Sequence, residues 1–239
     1  MTGIEKPDER SLVLIPGLLC DDFVFGHQVE TFGGAHDVLV PKLDHLDSIP
    51  AMAAELLTHA PASFALLGYS LGGRIALEVY HQAPGRVGRL ALLDTGVHPC
   101  RPGEPARRQE LLDLATEKGM LAVAQAWLPP MVYPDRRTDR DLMGALEAMV
   151  ERRTPETFRN QTIALLNRPD ATPVLATIDC PTLVLCGRED AWSPLPQHEA
   201  IADRIRGARL AVIDGAGHFA PVERPKAVTA ELRRWLEDR

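Results

Sequence analysis

The chain has 239 residues, 45% of them hydrophobic and 25% charged, enough for one large core or one core with an inserted subdomain. Its 33 acidic and 26 basic residues leave a formal charge of −7, so there is no global basic field to hold nucleic acid or an anionic membrane. No apolar run approaches the roughly 18 residues of a membrane span, and residues 1–10 are charged without an apolar stretch. No secretory leader is expected there, and the expected location is cytoplasmic.

In chain order, short apolar runs bounded by turn residues occur at 11–15, 37–40, 64–67, 90–93, 182–185 and 209–213. They lack period-two alternation, which predicts strands buried on both faces, as in a parallel sheet covered by helices. Helical patterns lie between them at 48–59, 72–82, 194–206 and 225–236; the last two open with a proline at a permitted first-turn position. Strand and helix alternate, so the predicted fold class is α/β with a doubly wound, mostly parallel sheet.

From about 98 to 171 the alternation stops. That stretch shows only helical pattern, at 107–118 and 140–152, broken by Pro129-Pro130 and Pro134, and its charges balance at eleven basic and eleven acidic. It reads as a helical lid inserted into one domain, with the core formed by residues 1–97 and 172–239. The four cysteines (Cys20, Cys100, Cys180, Cys186) fit neither a disulfide framework nor a zinc site and read as reduced, mostly buried thiols.

In a doubly wound sheet, ligands sit beyond the carboxyl ends of the strands where strand order reverses. After the third predicted strand comes Gly68-Tyr69-Ser70-Leu71-Gly72-Gly73, a Gly-x-Ser-x-Gly nucleophile elbow in strand–turn–helix context. Glycine at 68 and 72 relieves the crowding of so sharp a turn, and Gly73 lets the helix approach the sheet. A P-loop would need Gly-Lys-Ser/Thr where Gly73 is followed by Arg74, and a dinucleotide fingerprint is absent after the first strand, which ends in Pro16-Gly17-Leu18-Leu19-Cys20. A serine needs a base to take its proton, and the base needs an orienting group. Of eight histidines only His218, in Gly215-Ala216-Gly217-His218, follows the last strand; Asp190, in Gly187-Arg188-Glu189-Asp190, follows the strand before it. Asp94, at the end of the fourth strand, is the rival acid, with capping of the Thr95-Gly96 turn as its other reading. Glu189 should point away from the site.

These three segments, in register with the strands, resemble the α/β-hydrolase fold over essentially the whole chain. Small lidded carboxylesterases, the pimeloyl-carrier-protein methyl ester esterase type and enol-lactonases are the nearest in kind. The resemblance implies a serine hydrolase acting on a carboxylic ester, thioester or lactone, with Ser70, Asp190 and His218 catalytic and the Leu18 and Leu71 N–H groups forming the oxyanion hole. It implies no metal and no organic cofactor, and a small acyl substrate, carrier-linked ones included. Two departures stand out. Pro16-Gly17 replaces the usual His-Gly, leaving open how the oxyanion turn is braced, and only about ten residues precede the first strand, so a truncated sheet edge is expected. Leu19, Tyr69, Trp127, Met131, Tyr133, Trp192 and Phe219 are candidates for the acyl pocket, or else core packing. The lid arginines (Arg107, Arg108, Arg136, Arg137, Arg152, Arg153) read as a solvated face in preference to an anion-binding one. Cys20 reads as a buried neutral thiol beside the oxyanion turn. Other uses of the same fold are a small-molecule receptor, non-catalytic or single-turnover, and a cofactor-free perhydrolase or C–C hydrolase.

Overall fold

A computed structural model describes residues 10–238, and in it the apolar runs form six parallel strands: β1 (Ser11–Ile15), β2 (Asp37–Leu39), β3 (Phe64–Tyr69), β4 (Val87–Leu93), β5 (Thr182–Gly187) and β6 (Arg209–Ile213). Their order is β2-β1-β3-β4-β5-β6. β1, β3 and β5 are buried at every position, because helices cover both faces. β2 differs from the expected buried strand. It is a three-residue edge strand with Asp37 and Leu39 exposed, and no strand precedes β1 among the described residues. The stretch read for a leader lies outside the described residues, apart from Arg10. No helix among the described residues is long and apolar enough to cross a membrane.

The helices are α1 (Gly26–Phe32), α2 (Ile49–His59), α3 (Leu71–Gln82), α4 (Glu104–Trp127), α5 (Arg140–Glu151), α6 (Pro155–Leu166), α7 (Thr172–Leu175), α8 (Leu195–Ala202), α9 (Ala220–Glu223) and α10 (Pro225–Glu237). α2 packs on α3 over one face of the sheet, and α1 packs on α10. The chain runs from β1 outward to β2 and then back past β1 to β3, so the turns after β1 and β3 face one another at the reversal of strand order.

Between β4 and β5 stands the helical lid. Its first helix runs well beyond the expected 107–118, from Glu104 to Trp127, and breaks at Gly119, whose φ of +80° and ψ of 177° no helical residue adopts. α5 and α6 start on side-chain caps: Asp139 accepts from the Leu142 N–H and Thr154 from the Thr157 N–H. The lid leaves and rejoins the core side by side, the Ala171 N–H donating to the Val97 carbonyl at 2.9 Å. Arg168 clamps the two stems. Its guanidinium, 2% exposed, donates to both carboxylate oxygens of Glu104 (2.8 and 2.6 Å) and to the carbonyls of His98, Pro99 and Leu165. Burial works to raise the Glu104 pKa, but hydrogen bonds from Arg168 and Arg108 outweigh it and hold that carboxylate well below its ordinary range.

The end of β4 is propped from α8. The Thr95 N–H donates to His198 Nε2 at 3.0 Å, Gln197 Nε2 donates to the Thr95 carbonyl at 2.9 Å, and the Thr95 hydroxyl donates to the Ser70 carbonyl at 2.6 Å. His198 is fully buried and serves as an acceptor, so burial depresses its pKa from 6.5 to about 4. The unfolded chain therefore binds a proton that the native state refuses.

Two outcomes follow from these contacts. Glu104→Gln leaves the buried Arg168 charge unpaired and should destabilise the protein by about 3 kcal/mol in urea unfolding. The His198 contribution, on the order of 3 kcal/mol, is fully present above about pH 6.5 and lost as pH falls toward about 4. Thermal melts should drop through that window, and His198→Gln should drop less steeply there.

Candidate active site

The turn after β3 forces Ser70 into φ +55°, ψ −113°, a conformation a non-glycine residue holds at a cost of about 1–3 kcal/mol. Its surroundings over-determine it. The Ser70 N–H donates to the Leu93 carbonyl at 2.9 Å, and the Ser70 carbonyl accepts from the Gly73 N–H and from Thr95. A Cβ at Gly68 would overlap the Gly72 carbonyl, and one at Gly72 would overlap the Ile15 carbonyl, so the two glycines allow β1, β3 and α3 to close together. A Cβ at Gly73 would stand 2.6 Å from the Thr95 side chain. The result is a serine side chain presented, partly exposed, at the start of α3.

Ser70 Oγ lies 2.9 Å from His218 Nε2, and His218 Nδ1 lies 2.8 Å from Asp190 Oδ2. The Asp190 and His218 side chains are 0% and 2% exposed, so the pair operates away from water. Asp190 Oδ1 accepts from the N–H groups of Trp192 and Ser193, both at 2.8 Å, which fixes the carboxylate. With Nδ1–H directed at Asp190, Nε2 is left as the acceptor for the serine proton.

Asp94, the rival acid, does not reach the imidazole. Its Oδ1 accepts from the Gly187 N–H at 2.8 Å, tying the end of β4 to the end of β5, and so it does not cap the following turn. Burial, and then the charge of Asp190, push the Asp94 carboxyl well above its ordinary range. Glu189 points away from the site, its Oε2 accepting from the Ala216 N–H at 3.1 Å.

The histidine loop is held by a residue that sequence reasoning missed. Glu223, 1% exposed, accepts from the N–H groups of Gly217 (2.9 Å) and Phe219 (3.2 Å) on either side of His218, and from the Tyr133 N–H of the lid (2.8 Å). The His218 N–H donates to the lid carbonyl of Met131 at 2.7 Å. Burial pushes the Glu223 carboxyl up, and the three N–H donors partly offset this. The signal available in the sequence is an acid directly after the apolar Phe219–Val222 stretch, five residues past the histidine.

The aromatic candidates cluster on the histidine side. Tyr69 packs on His218 with ring centroids 5.5 Å apart and on Phe219 at 6.1 Å, and Trp127 meets Phe219 edge-on at 6.1 Å. Met131 is buried, the Tyr133 hydroxyl donates to Asp135 at the surface, and Trp192 is 51% exposed. A cavity of about 340 Å³ opens beside the other flank of the elbow, lined among others by Gly17, Leu71, Ile75, Met52, Arg153 and Gln161. Part of its wall is the turn after β1 and the start of α3, at the reversal of strand order where a ligand is expected; the rest, from the segment after β2, from α2 and from the lid, has no signal in the sequence.

In the turn after β1, the Cys20 N–H donates to the Gly17 carbonyl at 3.2 Å, and Leu19 takes φ +58°. Cys20 is buried; desolvation, and then the charge of Asp21, raise its thiol pKa, so it is a neutral thiol. The lid arginines are more engaged than a solvated face. Arg108 pairs with Glu104, Arg136 with Asp139 and the Glu223 carbonyl, Arg152 with Asp21, and Arg153 with Asp44, while Arg137 donates to the Val132 carbonyl. Arg152 and Arg153 thus join the lid to the two core loops beside the cavity.

Comparison with known proteins places this geometry. An esterase from Thermogutta terrifontis superposes with a TM-score of 0.87 at 27% identity, over 95% of this chain and 89% of that one. The enol-lactonase from Burkholderia xenovorans LB400 shares the fold with a TM-score of 0.84 at 23% identity, over 95% and 91% of the two chains. The 2-succinyl-6-hydroxy-2,4-cyclohexadiene-1-carboxylate synthase of Enterobacter sp. strain 638 is 28% identical, over 85% of this chain and 78% of its own length. The family model described as the alpha/beta hydrolase family matches residues 12–232. With its elbow serine, histidine and aspartate hydrogen-bonded in sequence at the carboxyl edge of a parallel sheet, this chain belongs to the alpha/beta hydrolase family.

Proposed function

We propose that the protein hydrolyses a small carboxylic ester or lactone through an acyl-enzyme on Ser70. The observation that carries the reading is the continuous relay from Ser70 Oγ to His218 to a buried Asp190, with separations of 2.9 and 2.8 Å. His218 takes the serine proton as Oγ attacks the carbonyl carbon, and then delivers it to the departing alkoxide. Asp190 holds the imidazole in the required tautomer and stabilises its cation. Water, deprotonated by the same histidine, releases the acid and restores the serine.

The negative charge that develops on the carbonyl oxygen falls to the N–H groups of Leu18 and Leu71, at the turn after β1 and the first residue of α3, where the helix dipole adds its favourable end. The helical stretch from about residue 98 to 171 serves as the lid, and the core on either side of it carries the triad. The cavity beside Leu71, where Met52, Leu71 and Ile75 share the wall with polar side chains such as Gln161 and Arg153, suits a short acyl or alcohol group. Because most of the lid arginines are already paired, a free small substrate fits the lid better than one borne on an acidic carrier.

Turnover of p-nitrophenyl esters of graded acyl length, with product analysis, tests the assignment. Ser70→Ala should abolish both turnover and labelling by a fluorophosphonate. Asp190→Asn should lower kcat by roughly 10³–10⁴ through the wrong imidazole tautomer. Undiminished turnover by the Ser70→Ala protein would refute the reading. A single bound ligand per chain without release would favour a receptor, and a product lacking the simple acid would favour perhydrolysis or C–C cleavage.

A further inference from the structure

We propose that Gln161, a lid residue, is a positioning residue for the oxyanion turn, so that Ser70 faces a complete oxyanion site only while the lid is seated. The inference rests on the serine-hydrolase reading above and adds a dependence that the triad alone does not require.

The turn after β1 is poorly braced from within. Pro16 has neither an N–H nor a polar side chain to offer, and the bonds internal to the turn are the long Cys20 N–H to Gly17 carbonyl contact and the Cys20 thiol to Leu18 carbonyl contact at 3.4 Å. Yet Leu19, wholly buried, is held at φ +58°, where leucine does not rest unaided. Its N–H donates to Gln161 Oε1 at 2.9 Å, across 142 residues of sequence.

Gln161 stands on α6, inside the lid, and is 7% exposed. This is the hydrogen bond its side chain makes with the described residues; the Nε2 end has no acceptor among them. The amide thus reaches out of the lid to one backbone N–H of the core. That N–H belongs to the Leu18–Leu19 peptide, which the torsions of Leu18 join to the peptide carrying the Leu18 N–H, so a tilt of the one displaces the N–H assigned to the oxyanion. Lifting α6 removes the acceptor, leaves a buried donor unmet, and frees the strained turn to relax. Lid closure and assembly of the oxyanion site are then one event.

The test compares Gln161→Met, which keeps length and removes the acceptor, with Gln161→Glu, which keeps an acceptor, using p-nitrophenyl butyrate and a fluorophosphonate, with thermal melts on every protein. Gln161→Met should lower kcat about 10- to 100-fold with KM within about threefold, and should slow phosphonylation in parallel, as expected for a misplaced oxyanion donor. Gln161→Glu should recover most of kcat at neutral pH. If Gln161→Met does not fold, Gln161→Asn, whose amide is one methylene short of Leu19, takes its place. Wild-type kcat in the acceptor-less variant, a loss confined to KM, or equal impairment of Gln161→Glu would overturn the proposal. Retained turnover by Ser70→Ala would instead overturn the serine-hydrolase reading, whatever the Gln161 variants do.

Discussion

The start of α3 lies so close to the end of β1 that nothing larger than hydrogen fits on Gly72 beside the Ile15 carbonyl. That contact governs the rest of the site. It forces the chain to turn at Ser70 through a backbone conformation that serine does not favour, and it sets the first peptide of α3 beside the turn that follows β1. The strain is met by bonds from three directions: β4 through Leu93, the helix through Gly73, and Thr95, itself propped by α8. A nucleophile placed this way has little freedom to rotate away from its base. In energetic terms, local cost is exchanged for orientation that need not be found anew in each turnover.

The second organising feature is the number of buried polar contacts that run from the lid to the core. Met131 and Tyr133 meet the histidine loop, directly and through Glu223, while Gln161 meets the turn after β1. These contacts are shielded from water, so each is worth more than the exposed ion pairs that accompany it, such as Arg152 with Asp21 at 50% and 17% exposure. The lid is therefore tied by hydrogen bonds to the loop of His218 on one side and to the turn after β1 on the other.

How far the sequence reveals this depends on whether a residue's role is local. Ser70, Asp190 and His218 announce themselves because each sits in a short glycine-marked turn just past an apolar strand, and parallel strands bring such turns to one edge. Cys20 is legible for a similar reason, following two leucines next to that edge. Glu223 and Gln161 are not, because a charged or amide residue on a helix reads as surface until tertiary packing shows what covers it. Asp94 misleads in a subtler way. Its position before Thr95-Gly96 suggests a turn cap, whereas the parallel pairing of β4 with β5 brings the Gly187 N–H within its reach. The run at 37–40 looks like a core strand by composition, but an edge position leaves two of its three strand residues in water. The lid arginines were set against acids along the sequence, while several of their partners lie on loops far from them in the chain.

The paired stems of the lid carry an implication for how such enzymes diversify. Departure at Val97 and return at Ala171 are joined by a single main-chain bond and locked by one guanidinium, so the sheet registers the whole excursion as though it were a short hairpin. Loop-closure entropy grows only with the logarithm of the excluded length, and here the closure is made at the neck. Residues gained or lost beyond that neck barely tax the scaffold beneath. A roof of different length can therefore be carried on the same sheet, provided that it still anchors the loop of His218.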